Sequence, residues 1–467
     1  MNQQLQQDLT QLNELFEAVK TQGVQYLRQL STRSSAVKAP STPPTSLAFE
    51  GVGALEALAH FNQRFEPLMV ASSGPRYWGF VTGGATPAAI AGDWLTSIYD
   101  QNPQGTIAQG DISAVIELET VQLLLELFEL PKDFLGGFVT GATISNFTCL
   151  AVARQWIGKL MARDIAKEGI VEGIKVLTAT PHSSAVKSLA MLGLGSNNFI
   201  RVKTLEGNRE AIDIVDLEAK IAELNGQPFI LISSGGTVNT VDFDDAAAIS
   251  QLKGKYQFWW HIDAAFGAFA MLSPGHKHLL AGWENADSIT IDGHKWLNVP
   301  YENAVFFVKE KHNLFQVETF QNSNAPYLGD PLENFSYLNF LPENSRRLRA
   351  LPVWFSLQAY GKKGIQNIVE TCISSAQLLG QFVDQNPAFE LLAPVRLNTV
   401  CFTLSGAENQ VKVQAFLYRL NASGQVFMTP TVYQGKKGIR AAFVNWLTTP
   451  EDVALVTGLM VTLQAEI

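Results

Sequence analysis

Asp287-Ser288-Ile289-Thr290-Ile291-Asp292-Gly293-His294-Lys295-Trp296 is the stretch on which the reading of this chain turns. Residues 288–291 read as a short buried strand, Asp292-Gly293 as a turn, and His294-Lys295 as the pair the turn presents. A lysine directly after such a strand, amid apolar residues, is poorly hydrated. That favours the neutral amine and so frees it for nucleophilic attack on a carbonyl. The competing reading is a lysine that snorkels at a strand end.

Outward from that stretch, residues 134–310 alternate between strand-like and helical runs. The expected strands are 138–139, 174–178, 199–202, 229–233, 258–262, 288–291 and 304–308. Helical stretches such as 146–163, 183–192, 215–224 and 245–253 separate most of them. This alternation predicts an α/β fold with a mostly parallel sheet and helices on both faces. Functional residues then belong on loops at the strand ends. After about residue 345 helices (364–382, 411–421, 450–463) alternate with strands at 400–404 and 440–444. That pattern predicts a smaller C-terminal α/β domain, with a helix around 351–360 joining the two. At the other end Leu12, Leu15, Phe16 and Val19 recur at helical spacing, so residues 5–30 are expected to form one amphipathic helix. Residues 31–46, rich in Pro and Ser, are expected to be a linker.

Composition narrows the class. The 467 residues are 46% hydrophobic and 16% charged, which suits well-covered sheets. A net charge of −9 and the lack of a basic cluster argue against nucleic acid as partner. No apolar run approaches a membrane span, and no basic residue precedes Lys20, which argues against a secretory signal. Cys149, Cys372 and Cys401 are far apart and odd in number, suggesting neither disulfides nor a metal site. The cytoplasm is the expected compartment.

Other strand ends carry candidate chemistry. Gly141-Ala142-Thr143-Ile144-Ser145-Asn146 opens a helix, where backbone N–H groups can meet a phosphate; ordinary capping explains it equally. His182, between a strand and a helix, can stack on a flat cofactor, cap the helix or fill the core. Asp263 ends the apolar run FWWHI, and a carboxylate so placed is costly to bury without a cation. A protonated pyridine nitrogen is such a cation, and Ala265 is small enough to lie under a planar ring. In chain order these supply a phosphate loop, a ring stacker, a pyridinium partner and a Schiff-base lysine. Pyridoxal phosphate is the cofactor that uses all of them.

The stretches GFVTGGATPAA, ELET (117–120), GATISN, PHSSAVKSLAMLG, HIDAAFGA, DSITIDGHKW and SRRLRALPVWFSLQAYG carry a family resemblance. In their order and spacing the chain resembles the group II pyridoxal-phosphate-dependent amino-acid decarboxylases, which act on aromatic amino acids, glutamate or diaminobutyrate. The resemblance implies the aspartate-aminotransferase fold (fold type I) and a homodimer with active sites at the subunit interface. It divides the chain into an N-terminal helical segment (1–70) making dimer contacts, a cofactor-binding domain (71–345) and a small domain (346–467). It implies that Lys295 forms the Schiff base, His294 contacts phosphate, Asp263 pairs with the ring nitrogen, and His182 and Ala265 lie on the two ring faces. Ala142 and Thr143 fall at the phosphate site, Thr237, Asn239 and Thr240 beside the ring, and Arg440 near the substrate carboxylate. One departure is Asp292-Gly293, where the aromatic branch has Asn-Pro. The long stretch 318–345 resembles a loop whose tyrosine protonates the α-carbon; Tyr337 fits the aromatic branch and Tyr327 the glutamate branch. The expected activity is decarboxylation of an amino acid. The alternatives are another fold type I reaction (aminotransferase, aldehyde-forming enzyme, carbon–carbon or carbon–sulfur lyase) and a non-catalytic binding protein.

Overall fold

In the computed structural model, residues 2–38, 46–106, 112–170, 173–321 and 335–466 are described. Seven strands build the larger sheet: β1 (Phe134–Val139), β2 (Lys175–Thr178), β3 (Ile200–Arg201), β4 (Phe229–Ser234), β5 (Phe258–Asp263), β6 (Ser288–Asp292) and β7 (Ala304–Lys309). Each coincides with one expected run. Their order is β1-β7-β6-β5-β4-β2-β3, and only β7 runs against its neighbours. The carboxyl ends of β1, β2, β4, β5 and β6 therefore meet along one edge.

Every residue of β5, β6 and β7 is buried. Successive side chains alternate between two separate cores, as the period of a strand dictates. Leu231, Trp260 and Ile262 join one core, while Ile230, Ile232 and Trp259 join the other. Both faces are thus covered, which explains strands that read as continuous apolar runs. β1 starts four residues before its expected position because its Gly136-Gly137 pair hides the strand signal. Those glycines have a packing reason: a Cβ on either would press on Phe306 or Phe307.

A second sheet follows: β8 (Phe389–Leu391), β9 (Thr399–Leu404), β10 (Thr429–Tyr433) and β11 (Lys436–Ala442), in antiparallel order β10-β11-β9-β8. The two strands absent from the sequence reading, β8 and β10, are its edges. They are short or carry Pro430 and are only partly buried, so their pattern is weak. The helices expected at 351–360 and 364–382 are one run, Ala350–Gln385, interrupted at Gly361 by a left-handed φ of 58°. Glycine takes that conformation without strain, so the two helices abut instead of parting.

The N-terminal helix is two, Gln3–Thr10 and Leu12–Arg28, broken at Gln11. On the first, Asp8 accepts from Ala54 N at 2.9 Å and so caps the helix Ala54–Arg64, whose own N-cap is Gly53. Among the described residues no helix is long and apolar enough to cross a membrane.

Candidate active site

A cavity of about 820 Å³ opens at the carboxyl edge of the larger sheet. It is lined by Ala142, Thr143, His182, Thr237, Asp263, Ala265, His294, Lys295 and Arg440, residues drawn from widely separated stretches. Asn239 also lines it, whereas Thr240 lies behind the wall.

Lys295 reaches the cavity from the turn after β6. Its Nζ sits 2.7 Å from Asp292 Oδ2 and 5.8 Å from the centre of the Phe266 ring. The turn is tight enough that a Cβ on Gly293 would lie 2.2 Å from Asn303 Oδ1. Gly83, in the small-residue loop before residue 87, is equally constrained: its Cβ would lie 1.8 Å from Lys295 O. Gly83 thus packs the lysine's backbone and Gly84 packs the Asn445 side chain, while Phe80 and Val81 line the cavity. Both of these hold a positive φ (57° and 59°). In a buried β-branched valine that is a strained backbone of the kind found beside functional sites.

His294 stacks on Tyr301 with ring centres 4.3 Å apart, and its Nδ1 accepts from Asn303 N at 3.1 Å. Burial pulls its pKa below the usual histidine value. His182 combines two of the roles open to it. It caps the helix Ser183–Met191, with Nδ1 accepting from Ser184 N at 3.2 Å, and its ring lines the cavity. Burial lowers its pKa also, opposed by the Asp263 carboxylate.

Asp263 is the last residue of β5. Its Oδ2 accepts from Asn146 Nδ2 at 2.9 Å and its Oδ1 from Ala265 N at 3.3 Å. Asn146 was not singled out by sequence, nor was His261. Burial pushes His261 down to about 4, so its imidazole is neutral at pH 7. Its partners set the tautomer: Nε2 donates to Asn146 Oδ1 (2.8 Å), and Nδ1 accepts from Ser288 Oγ (2.9 Å). Trp259 Nε1 donates to the same hydroxyl at 2.9 Å. A one-way file of donors thus runs from Trp259 through Ser288, His261 and Asn146 to Asp263. The signal was available, because Trp259, His261 and Asp263 are spaced two apart and share a strand face.

In GATISN the roles divide. Gly141, Ala142 and Thr143 line the cavity at the start of the helix Ala142–Leu160, whereas Ser145 turns its hydroxyl to Thr290 Oγ1 and Val305 O. Arg440, on β11, donates from NH1 to Val238 O at 3.2 Å and to Asn239 Oδ1 at 3.5 Å. Its Nε is buried with no partner. Burial lowers its pKa, yet a guanidinium so far above neutrality keeps its charge.

The structure corrects the reading of Tyr337. It is fully buried in the core behind β1, where its hydroxyl donates to Gly136 O at 3.2 Å and its ring lies under Arg346. It does not line the cavity and so does not face a group bound there; burial raises its pKa well above 10. Apolar packing against Phe335 and the Gly137 gap in β1 hold it away. Tyr327 lies outside the described residues. The ELET and SRRLR stretches also find their reason in packing. Glu117 and Arg346 form a bidentate pair at 2.8 and 3.0 Å, both side chains almost wholly buried.

Residues 55–405 match the model of the pyridoxal-dependent decarboxylase conserved domain. The chain belongs to that family. Its cofactor is pyridoxal 5′-phosphate, and it is a carboxy-lyase acting on an amino acid. Among curated relatives it is 28% identical to an aromatic-L-amino-acid decarboxylase of Bacillus atrophaeus over 391 residues, 81% of this chain and 79% of that one. It is 26% identical to a phenylacetaldehyde synthase of a Rosa hybrid cultivar, covering 81% and 78%. The fold matches a crystal structure of Catharanthus roseus tryptophan decarboxylase with L-tryptophan at a TM-score of 0.88, 20% identity and 98% coverage of both chains. The α/β architecture is therefore fold type I, as expected.

The cavity suits the cofactor. Asp263 is a buried acid that takes only neutral donors, and no ion pair to it occurs among the described residues. A ring nitrogen bearing a proton would supply the missing cation.

Proposed function

We propose that the chain converts an L-amino acid to its amine and carbon dioxide, with Lys295 holding the cofactor through Nζ. The observation that carries this is the pairing, in one cavity, of a lysine amine with a buried carboxylate that lacks a cation. When bound, pyridoxal phosphate supplies an electron sink for the pair released at the α-carbon.

The residues divide the remaining work. Asp263, steadied by Asn146, keeps the ring nitrogen protonated. His182, Ala265 and Thr237, all lining the cavity, would confine the ring. Ala142, Thr143 and His294 hold the phosphate, aided by the N-terminus of the helix behind them. Arg440 would take the substrate carboxylate and so fix the orientation of the substrate. Asp292 holds the ammonium of Lys295 whenever that lysine is free. With Tyr337 in the core, Tyr327 is proposed as the acid that protonates the α-carbon.

The proposed organisation is an N-terminal segment (1–70), a cofactor-binding domain (71–345) and a small domain (346–467); the two separate sheets support the second boundary. A homodimer is supported by the exposed apolar residues of the first segment, among them Leu5, Leu9, Phe16 and Val19. A cytoplasmic setting is supported by three free, buried cysteines. A second reading, aldehyde formation, is favoured by the resemblance to the rose enzyme.

The test is a panel of L-amino acids given to the holoenzyme, with carbon dioxide trapped and products identified by mass spectrometry. Amine with stoichiometric carbon dioxide is expected. Aldehyde in its place selects the second reading, and keto acid without carbon dioxide overturns both.

A further inference from the structure

Glu210 lines the same cavity, in a stretch, Gly207-Asn208-Arg209-Glu210, that carries no motif. Its Oε2 accepts from Thr237 Oγ1 and from Thr240 Oγ1, both at 2.6 Å, and from Thr240 N at 3.2 Å. Hydroxyl-to-carboxylate bonds this short are charge-assisted and strong. The backbone of Glu210 is fastened as well: its N–H donates to Asp242 Oδ2 at 2.8 Å, and its carbonyl accepts from Thr180 Oγ1 at 2.9 Å. One anchored oxygen therefore closes both ends of the turn 237–240.

The middle of that turn is what holds Arg440. Val238 O and Asn239 Oδ1 are the acceptors of its NH1, and Asn239 is fixed in turn by Thr431 Oγ1 at 2.8 Å. Arg440 makes no ion pair with Glu210 or with any other described carboxylate. It is restrained by neutral oxygens alone and leaves its buried Nε unpartnered. Arg440 is thereby kept as an unspent cation in the cavity, in an orientation that the turn dictates.

We infer that Glu210 is a positioning residue: by clasping Thr237 and Thr240 it shapes the turn that aims Arg440 at the substrate carboxylate. This rests on the proposed role of Arg440. Without the clasp the two threonines lose their shared acceptor, Val238 O and Asn239 shift, and the guanidinium is free to swing. Grip on the carboxylate then weakens, while contacts to the rest of the substrate do not.

The experiment titrates holoenzyme with each of the proteinogenic amino acids and with L-2,4-diaminobutyrate, following the cofactor absorbance. For every amino acid that moves the band, the amine lacking its carboxyl group is titrated as well. Glu210→Ala should weaken the amino acid by roughly tenfold or more and its amine by less than about twofold. Glu210→Gln keeps acceptor and shape, and should stay within about threefold of wild type for both. In an Arg440→Ala background, Glu210→Ala should add less than about twofold, because the two act as one unit. Should Glu210→Ala lose the cofactor band, Glu210→Asp, one methylene too short to reach both threonines, carries the same comparison. Equal loss for amino acid and amine, a Gln variant as weak as the Ala variant, or fully additive effects would each overturn the inference. A band that no amino acid moves in wild-type enzyme overturns the decarboxylase reading itself.

Discussion

Apolar side chains are used in opposite ways at the carboxyl edge of the larger sheet and in the N-terminal arm. At the edge, burial acts on polar groups: Asp263, His261 and His294 sit in the core with their hydrogen-bond partners, and Asp292 pairs with Lys295. In the arm, none of the helices Gln3–Thr10, Leu12–Arg28 and Ala54–Arg64 buries a residue, and leucines and phenylalanines face water. The first region finds its polar partners within the chain, whereas the second leaves its apolar side chains exposed. Perturbing the edge should therefore change chemistry and stability, whereas perturbing the arm should change association alone.

The largest effect is expected at Lys295. Lys295→Ala removes the amine that holds the cofactor, so turnover should fall roughly a thousandfold or more. The fold should survive, because the side chain lies in a cavity and its backbone contacts, including the close approach of Gly83, are unchanged. Borohydride treatment followed by peptide mapping should label Lys295 in the wild type and nothing in the variant. A label on another lysine would remove the basis for the whole site.

Asp263→Asn comes next. It keeps the shape and can still accept from Ala265 N, but it takes away the charge facing the ring nitrogen. Removing one partner of a buried charge pair costs about 3–5 kcal/mol, which corresponds to roughly 10²–10⁴ in turnover. Lys295 labelling should persist, which separates this variant from the first. Near wild-type turnover would reduce Asp263 to a structural acid.

How much of this was legible follows from the same contrast. The central strands β5, β6 and β7 stood out because they are buried on both faces and so read as unbroken apolar runs; the edge strands β8 and β10, half exposed, did not. Lys295, Asp263 and His182 were visible because they are polar residues placed directly at strand ends. Glu210 acts through Thr237, 27 residues away, and nothing local marks it; Asn146 lies in the GATISN stretch, but its partner Asp263 is 117 residues away. Tyr337 was misread for the reverse reason. Spacing placed it in a loop, but the Gly136-Gly137 gap in a distant strand draws it into the core.

A smaller effect, read on stability, is expected from His261. Its pKa is lowered by burial from 6.5 to about 4, and those of His182, His294 and His312 move the same way. A histidine held neutral in the fold binds its proton more readily when unfolded. The stability it allows is whole above pH 6.5 and is lost as pH falls towards 4. The thermal midpoint should drop across that window in the wild type and less steeply in His261→Leu. At pH 7 the same variant should be less stable by about 1–3 kcal/mol, because Asn146 Oδ1 loses its buried donor. An unchanged slope would show that His261 does not titrate on unfolding.

The smallest intramolecular effect belongs to the arm. Leu9 and Phe16 are 62% and 49% exposed, so replacing both with glutamate removes almost no packing within the chain. Unfolding of the single chain should change by no more than about 0.5 kcal/mol per site, the range for surface substitutions. If a second copy covers this face, the same change places two carboxylates in an apolar contact, and self-association should weaken roughly tenfold or more. Sedimentation of wild type and variant over a range of concentrations reads this directly. A wild type that stays monomeric, or a variant that associates as tightly, would mean that the exposed leucines and phenylalanines serve some contact other than a second copy. A loss of thermal stability at concentrations where both are monomers would break the contrast itself, because it would show that the arm already packs on its own chain.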